Sequence, residues 1–249
     1  MSVTMLHPQM LTGHRPTVVH HVGMPFPPDL RERVGQTIQA PWSGTGLVSA
    51  TFPDGTIGEA TGFVIGDRSV VTAAHALYNK EWGGKASQVS FEPARDATKI
   101  PFGTTSAASW HVPAEYPAGG RLYDYGLLVL AEPLVAQVFR YQLFAADDKL
   151  LNEGTFQIAG YPDDRAPENS MWYASGALLS PAGARMLRYR ISTSGGQGGA
   201  AVATHLNVRA VAAVGIHAGV TKDRDANEAV RVTREVIIQV DAWQRGLTG

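Results

Sequence analysis

The chain has 249 residues, and its 21 lysines and arginines nearly balance its 22 aspartates and glutamates, which leaves a formal net charge of −1. The basic residues form no run or stripe, so the composition argues against nucleic acid or an anionic membrane surface as the main partner. There is no cysteine, which excludes disulfides and thiolate zinc sites and leaves packing to stabilise the fold.

The N-terminal segment, residues 1–44, is rich in proline, histidine and polar residues without a clear hydrophobic period, which predicts an extended arm or a pro-segment. Its beginning, Met1–Leu11, lacks the basic start and apolar stretch of a secretory signal. These features predict a cytoplasmic protein, and a secreted chain whose leader had been replaced would read the same way. No run has the length of a membrane-spanning helix. His20 and His21 have no further ligand at metal-binding spacing, so we expect neither a metal nor a cofactor.

From about Thr45 the pattern changes to short β-branched or apolar runs separated by Gly, Pro, Asp and Ser. Runs of this length with turn residues between them predict an all-β sandwich or barrel rather than βαβ units. The predicted strands include Gly62–Ile65, Val70–Thr72, Gln88–Phe91, Tyr125–Leu130, Phe156–Ala159, Met186–Ile191 and Ala210–Ile216.

One helix is predicted, near the C-terminus, where apolar residues recur at helical spacing between Val236 and Trp243. Thr233 is the expected N-cap of this helix and Gly246 its stop. Two acidic pairs, Asp147–Asp148 and Asp163–Asp164, lack the alternating oxygen spacing of a calcium loop and are interpreted as solvated turns.

Three segments carry the candidate chemistry, in chain order Val70–His75, Asp124–Leu130 and Ser192–Val202. The first is a strand that ends in small residues and a histidine, a residue that titrates near neutral pH and suits a general base. The second places an aspartate at the start of an apolar strand, where a buried carboxylate can orient an imidazole. The third is a glycine-dense loop that can turn backbone N–H groups towards an oxyanion.

The order histidine, aspartate, loop is that of chymotrypsin-like proteases, and the segments resemble that family. Thr72–His75 resembles the motif around the general base, and Asp124–Leu128 the motif around the orienting aspartate. Three further segments resemble the glutamyl endopeptidase branch, namely Gly160–Arg165 with Met171–Trp172, Ser192–Gly196, and Val214–Gly219. The resemblance runs from about Gly62 to the C-terminal helix.

The resemblance implies two antiparallel six-stranded β-barrels with a C-terminal α-helix lying against the second barrel. It divides the chain into residues 1–44, a first barrel over 45–140 with His75 and Asp124, and a second barrel over 141–249 with the specificity pocket. The active cleft then lies between the barrels. His75 is the implied general base, Asp124 orients it, and the amides of Gly196 and Gly198 form the implied oxyanion hole.

Substrate preference also follows from the resemblance. The family's pocket for a glutamate side chain corresponds here to Thr193 and His217, with Ala218 and Gly219 on the same substrate-binding strand. A hydroxyl and an imidazole N–H are donors suited to a carboxylate, and a cationic histidine would add charge assistance. The alternative for His217 is a structural role, as a buried histidine bonded to the backbone, in a protease of different specificity. A free N-terminal amine completes this pocket in some family members, and the segment from Met1 offers no obvious counterpart.

The loop departs from the family pattern at the nucleophile, because Gly198 occupies the position of the catalytic serine. Without a side chain the acyl-enzyme route is closed, and loss of the nucleophile costs a triad enzyme on the order of a millionfold in turnover. We therefore expect a serine endopeptidase by family, directed to peptides with Glu before the scissile bond, whose present chain is inactive. Two origins remain open, an engineered removal of the serine and a natural pseudoprotease that binds peptides or regulates another protease.

Overall fold

The computed structural model describes residues 18–19, 23–179, 182–207 and 210–247, so His20 and His21 lie outside the described residues. Within these ranges the protein is mostly β. Its strands are, in chain order, β1 Val18–Val19, β2 Glu32–Arg33, β3 Thr45–Thr51, β4 Ile57–Gly66, β5 Ser69–Thr72, β6 Tyr78–Asn79, β7 Gly84–Lys85, β8 Gln88–Pro93, β9 Thr105–His111, β10 Gly126–Leu130, β11 Gln142–Leu143, β12 Phe156–Gly160, β13 Trp172–Gly176, β14 Met186–Tyr189, β15 Ala201–His205, β16 Val211–Val220 and β17 Asn227–Arg231. The helices are α1 Asp148–Glu153 and α2 Arg234–Gln244, and short 3-10 turns include Ala74–Ala76 and Arg121–Tyr123.

The first sheet closes into a barrel. Its strands follow the order β4-β3-β8-β9-β10-β5, and β5 also pairs antiparallel with β4, which completes a six-stranded antiparallel ring. Strand β1 adds to the outside of this ring through a short parallel pairing with β4. Each predicted strand of this region lies within or overlaps an observed strand, and the closed barrel confirms the prediction for the first half of the chain.

The second sheet has the order β14-β17-β16-β15-β12-β13, again antiparallel, with β2 added at the β13 edge. The segment that follows β13 is joined to β14 by one antiparallel bridge, between Leu178 and Tyr189, and by a 2.7 Å hydrogen bond from Leu179 N to Arg188 O. The six predicted strands are therefore present, but a continuous ladder does not close the ring as it does in the first sheet.

Apolar residues on both faces of the central strands explain why the two sheets pack together. In β10, Leu128 faces the core of the first barrel, whereas Leu127 faces a core shared with the second sheet. In β16, Ile216 belongs to that shared core and Val214 to the interior of the second sheet. Because neither face of these strands meets water, their sequences are almost continuously apolar rather than alternating.

The C-terminal helix begins as predicted, with Thr233 Oγ1 accepting a hydrogen bond from Val236 N, and Gly246 ends it in the left-handed conformation. Its position differs from the prediction. The helix was expected against the second barrel, but the Trp243 ring lies 5.8 Å from the His111 ring and 5.9 Å from the Tyr125 ring, both in the first-barrel half of the chain. The apolar face of the helix thus spans both halves.

Both acidic pairs interpreted as solvated turns are exposed, and Asp163 and Asp164 do lie in a turn, but each pair also makes a structural contact. Asp147 is the N-cap of the unpredicted helix α1, with its carboxylate accepting a hydrogen bond from Leu150 N at 2.8 Å. Asp164 binds the guanidinium of Arg31 through two hydrogen bonds, and Asp163 accepts one from the Ser194 hydroxyl. The sequence signal was the same in both cases, since a short acidic pair fits a turn, a cap or an ion pair equally well.

The described part of the N-terminal segment, residues 23–44, is integrated into the fold. Strand β2 pairs with β13, and Arg31 is buried, bound on one side by Asp29 and on the other by Asp164. These residues are therefore not a free arm. The division of the chain after residues 44 and 140 stays a prediction.

Candidate active site

His75 and Asp124 meet at the edge of the first barrel that faces the second sheet. His75 follows β5 in a 3-10 turn and Asp124 lies two residues before the start of β10, and these two strands are hydrogen-bonded neighbours. The Asp124 carboxylate binds the His75 Nδ1 at 2.8 Å with one oxygen and accepts the His75 backbone N–H at 2.9 Å with the other. Both side chains are buried. Since a carboxylate only accepts, it holds the proton on Nδ1 and leaves Nε2 as the basic nitrogen.

The loop that carries Gly198 is fixed from the opposite barrel by one residue, Thr61 of β4. The Thr61 hydroxyl donates to the Gly196 carbonyl at 2.8 Å, and its backbone N–H donates to the Gly198 carbonyl at 2.9 Å. Within the loop, the buried Gln197 side chain accepts from Ser194 N at 2.9 Å. These bonds hold the loop against the first barrel, beside His75.

Gly198 differs from its glycine neighbours in its backbone conformation. Gly196 and Gly199 have φ values of +82° and +86°, which favour glycine, whereas the φ of Gly198 lies outside this left-handed range. The backbone therefore accepts a side chain at position 198. However, a Cβ there would lie 2.3 Å from His75 Nε2, so a serine requires the imidazole to retract by about 1 Å to reach van der Waals distance.

The predicted oxyanion donors occupy the same loop. The Gly195 carbonyl accepts from Asp163 N at 2.9 Å. Because the C=O and N–H of one trans peptide point in opposite directions, the Gly196 N–H is directed away from Asp163. Among the described residues, neither the Gly196 nor the Gly198 amide donates a backbone hydrogen bond. Their role as oxyanion donors stays a prediction.

Thr193 and His217, the predicted pocket residues, are both completely buried. Within the described part of the chain, Thr193 Oγ1 and His217 Nε2 are buried polar atoms without a hydrogen-bond partner. An unsatisfied buried polar group costs about 1–3 kcal/mol, so two of them at one predicted pocket call for an explanation.

The environment of His217 determines its charge. Its Nδ1 lies 2.7 Å from the Tyr189 hydroxyl, and the backbone of Glu228 also interacts with the ring, as the structural alternative supposed. Burial, with the nearby His75, lowers the pKa of His217 to about 3, and burial raises the pKa of Tyr189 well above its usual value. A neutral imidazole carries one N–H, and the Tyr189 hydroxyl can donate to Nδ1, which places that proton on Nε2, or accept from Nδ1. Burial thus favours the neutral imidazole over the cationic form expected from the sequence, and the role of His217 in binding a carboxylate stays a prediction.

The N-terminal segment reaches this pocket, although its sequence offered no counterpart to the family's terminal amine. A Cβ on Gly23 would lie 2.5 Å from Thr193 Oγ1, so glycine allows the main chain to approach closely. The Met24 carbonyl accepts from Thr193 N at 3.2 Å and from the Asn227 side chain at 2.7 Å. Phe26 N donates to the Ser192 hydroxyl at 2.9 Å. The segment from Gly23 to Phe26 thus forms one border of the pocket.

Ala218 and Gly219 lie near the end of β16, where the register with β17 shifts between His217 and Gly219. Gly219 has a φ of +126°, a backbone conformation that side chains rarely adopt. The loop and the strand are tied together, since Gly199 N donates to His217 O at 2.8 Å and His217 N donates to Ala200 O at 2.9 Å. The predicted site residues therefore lie close together where the two sheets meet, and their role as one substrate cleft stays a prediction.

Sequence reasoning missed three residues that shape this cleft: Thr61, Tyr189 and Arg121. Tyr189 lies in a predicted strand, and a buried phenol requires a polar partner, so its position two residues from the loop was a usable signal. Arg121 donates to the Val220 carbonyl at 2.5 Å and to Glu228 at 2.7 Å, across more than 90 residues of chain. Thr61 had no distinctive sequence signal.

Two features are absent from the described residues, a metal-binding cluster and a membrane-spanning helix. No group of three or more His, Cys, Asp or Glu side chains in these ranges is arranged to hold a metal ion. None of the helices described is long and apolar enough to cross a membrane.

Comparison with known proteins agrees with the geometry. Residues 32–240 match the trypsin family, which is more than half of the chain. The chain belongs to the trypsin-like serine protease family. Among curated relatives of this trypsin-like chain, a glutamyl endopeptidase of Bacillus licheniformis is 28% identical over 221 residues, covering 87% of this chain and 67% of the relative. A Bacillus subtilis protein named extracellular metalloprotease is 27% identical over 218 residues, covering 86% and 68%.

The solved structures show the same fold. A Glu endopeptidase in complex with MPD superposes with a TM-score of 0.75 at 21% sequence identity, covering 87% of this chain and 96% of that structure. The match supports the trypsin-like fold, and at this identity it supports nothing finer.

Proposed function

We propose that this trypsin-like chain is the nucleophile-less form of an endopeptidase directed to glutamate. In this proposal the cleft binds a peptide with a Glu side chain in the pocket at Thr193 and His217 and does not hydrolyse it. His75 and Asp124 form the base and its orienter, and a serine at position 198 would supply the missing nucleophile. The substrates and ligands are peptides or proteins, and no cofactor takes part.

The observation that carries the glutamate preference is the pair of buried donors without partners, Thr193 Oγ1 and His217 Nε2. In this proposal the Tyr189 hydroxyl donates to Nδ1, so that Nε2 carries the proton of neutral His217. A carboxylate accepts from this N–H and from the Thr193 hydroxyl, whereas a Lys ammonium has only donors and cannot pair with the N–H. Neutral His217 still donates one hydrogen bond to the carboxylate. The name of the Bacillus licheniformis relative, glutamyl endopeptidase, is consistent with this preference.

Binding to the chain itself tests the pocket without any need for catalysis. We would measure by fluorescence anisotropy the affinity for labelled peptides that differ only in having Glu, Gln, Asp or Lys at the pocket position. A hydrogen bond to a charged group contributes about 1.5–3 kcal/mol, so Glu should bind at least about tenfold more tightly than Gln. Equal binding of the Glu and Gln peptides would refute the proposed pocket.

Variants locate the effect. Thr193→Val removes the hydroxyl with little change of shape and should reduce the Glu over Gln preference. The matched control is Thr204→Val, because Thr204 is also a buried threonine of the second sheet but donates to the Thr155 carbonyl. A preference reduced equally in both variants would mean that the change acts through stability and not through the pocket.

A natural pseudoprotease that serves as a peptide-binding or regulatory module is the second candidate. It is favoured by the position of the His75 ring, whose Nε2 lies where a side chain at residue 198 would clash. An imidazole in this position fits a site in which residue 198 has no side chain. Restoration of the serine separates the two candidates.

A further inference from the structure

A groove lies beside the turn Arg121–Tyr123, which precedes Asp124. Its walls come from Leu122, Leu179, Arg188 and the segment 183–186, which enclose a cavity of about 610 Å³. The apolar surfaces of Leu122 and Leu179 are both about 40% exposed here. No function described above uses this groove.

The groove is continuous with the candidate active site through the turn Arg121–Tyr123. Arg121 binds the Val220 carbonyl at the end of β16, and the next residue, Leu122, lines the groove. Asp124 follows two residues later. On the proposed function, a peptide pairs antiparallel with the part of β16 that follows His217, because the His217 amide and carbonyl are already bonded to Ala200 and Gly199, so its residues before the Glu run towards Val220. Those residues therefore reach the turn and the groove behind it.

Both charged residues in the groove wall are arginines, Arg185 and Arg188. The Arg185 guanidinium lies over the Tyr123 ring, 4.7 Å from its centroid, which holds it at the mouth of the groove. Neither arginine forms an ion pair of 4 Å or less with another described residue.

The acidic residues near these arginines leave them available. Glu228 is the carboxylate closest in the sheet, directly opposite Arg188, and it is already bound by Arg121 at 2.7 Å. Asp223 lies within electrostatic range of Arg188, and Glu235 within range of Arg185, but both are solvent-exposed and hydrogen-bonded to threonines of their own segments. A ligand carboxylate can therefore add to the two guanidiniums without displacing a buried pair.

We propose that this groove is a second subsite of the cleft, which binds an acidic side chain two to four residues before the Glu that occupies the primary pocket. Arg185 and Arg188 are its specificity-determining residues, and Leu122, Leu179 and Met186 accommodate the aliphatic part of neighbouring side chains. This inference rests on the proposed function for the direction of the peptide. It adds a preference for acidic segments that the primary pocket does not supply.

The test uses the full chain and labelled peptides that carry Glu at the pocket position and either Asp or Asn two, three or four residues before it. Partly exposed ion pairs contribute up to about 1 kcal/mol each, so we expect the Asp peptide to bind about fivefold more tightly than the Asn peptide at one of these positions. The ratio should fall when the ionic strength is raised from about 0.01 M to about 1 M.

Arg185→Gln and Arg188→Gln should each lower the Asp over Asn ratio towards one. Arg190→Gln is the matched control, because Arg190 directly follows β14, close to Arg188 in the chain, but donates to the Asp225 carbonyl outside the groove wall. An equal loss of the ratio in the control, or no Asp preference at any of the three positions, would overturn the proposal. The same peptides with Gln in place of Glu at the pocket position separate the claim for the primary pocket from the claim for the groove. If Gln binds as well as Glu, the primary pocket fails, whereas a persistent Asp over Asn ratio still identifies the groove.

Discussion

Removal of the Arg31 guanidinium should test whether residues 23–34 are part of the folded domain or a removable arm. The Arg31 side chain is completely buried between two carboxylates. It binds Asp29 through Nε at 3.0 Å and Nη2 at 2.7 Å, and Asp164 through Nη1 at 2.8 Å and Nη2 at 2.6 Å. These bonds keep the arginine charged, and the hydrogen bonds from Arg31 hold the pKa of Asp29 below its usual value.

Arg31→Met keeps the length of the side chain but leaves two carboxylates without their main partner. Breaking a buried pair in this way costs about 3–5 kcal/mol when the remaining charge stays buried. Asp29 and Asp164 are 25% and 37% exposed, so water compensates part of this loss, and we expect the free energy of unfolding to fall by about 2–3 kcal/mol. Urea unfolding followed by tryptophan fluorescence measures this difference.

Arg33→Met provides the matched control, because Arg33 is two residues away and pairs with Asp96 while 42% exposed. An exposed pair contributes less than about 1 kcal/mol. The dependence of the free energy of unfolding on pH, at acid pH, gives a second readout. Since the pKa of Asp29 is lower in the folded state, the stability it contributes is present above pH 3.8 and is lost as the pH falls further, and Arg31→Met should weaken this dependence. Equal losses in the two variants, or a loss below about 1 kcal/mol for Arg31→Met, would refute the reasoning.

Three further outcomes are expected. In a Gly198→Ser background, Thr61→Val should lower kcat about tenfold with little change in KM, because one buried hydrogen bond to the Gly196 carbonyl is lost. Thr61→Ser keeps the hydroxyl and should restore kcat. If Thr61→Ser does not restore kcat, the role of Thr61 is in packing. The pKa of His217 falls to about 3 on folding, so as the pH is lowered below 6.5 His217 becomes protonated in the unfolded state but not in the folded state. The free energy of unfolding, measured with urea, should therefore drop by up to about 1.4 kcal/mol per pH unit. His217→Gln should flatten this slope, and an unchanged slope would contradict the buried neutral imidazole. Gly199→Ala should lower the melting temperature far more than Gly55→Ala. Both glycines have φ near +87°, but only a Cβ on Gly199 would meet other atoms, at 2.3 Å from Thr61 O. Similar shifts of the melting temperature in the two variants would contradict the close approach of the barrels.

The sequence predicted what depends on local pattern and on family motifs. The strand before His75 and the apolar strand after Asp124 could be placed because short β-branched runs have few alternative structures. The convergence of His75, Asp124 and residue 198 followed from the order of the motifs, not from any single residue. The presence of Gly198 at the position of the family's catalytic serine could be identified from the amino-acid sequence alone.

Other features depend on contacts between distant segments, which no local pattern encodes. The approach of Gly23 to Thr193 joins residues 170 positions apart and depends on the absence of a side chain. Arg31 looked like one more charge in a polar segment, because its burial is decided by Asp164 on the other side of the fold. The neutral state of His217 likewise required its burial and its contact with Tyr189. Helix α1 is too short for a helical period to reveal it.

The most direct measurement is the activity of Gly198→Ser, compared with the unchanged chain, on peptides with Glu, Asp, Gln, Lys or Phe before the cleavage point. Because Gly23 borders the pocket, the variant should be assayed both as the full chain and as a chain that begins at Gly23. We predict cleavage after Glu by the serine variant and none by the unchanged chain. Cleavage after Lys or Phe would contradict the roles of Thr193 and His217. No cleavage by a folded serine variant in either form would contradict the endopeptidase and leave the peptide-binding module.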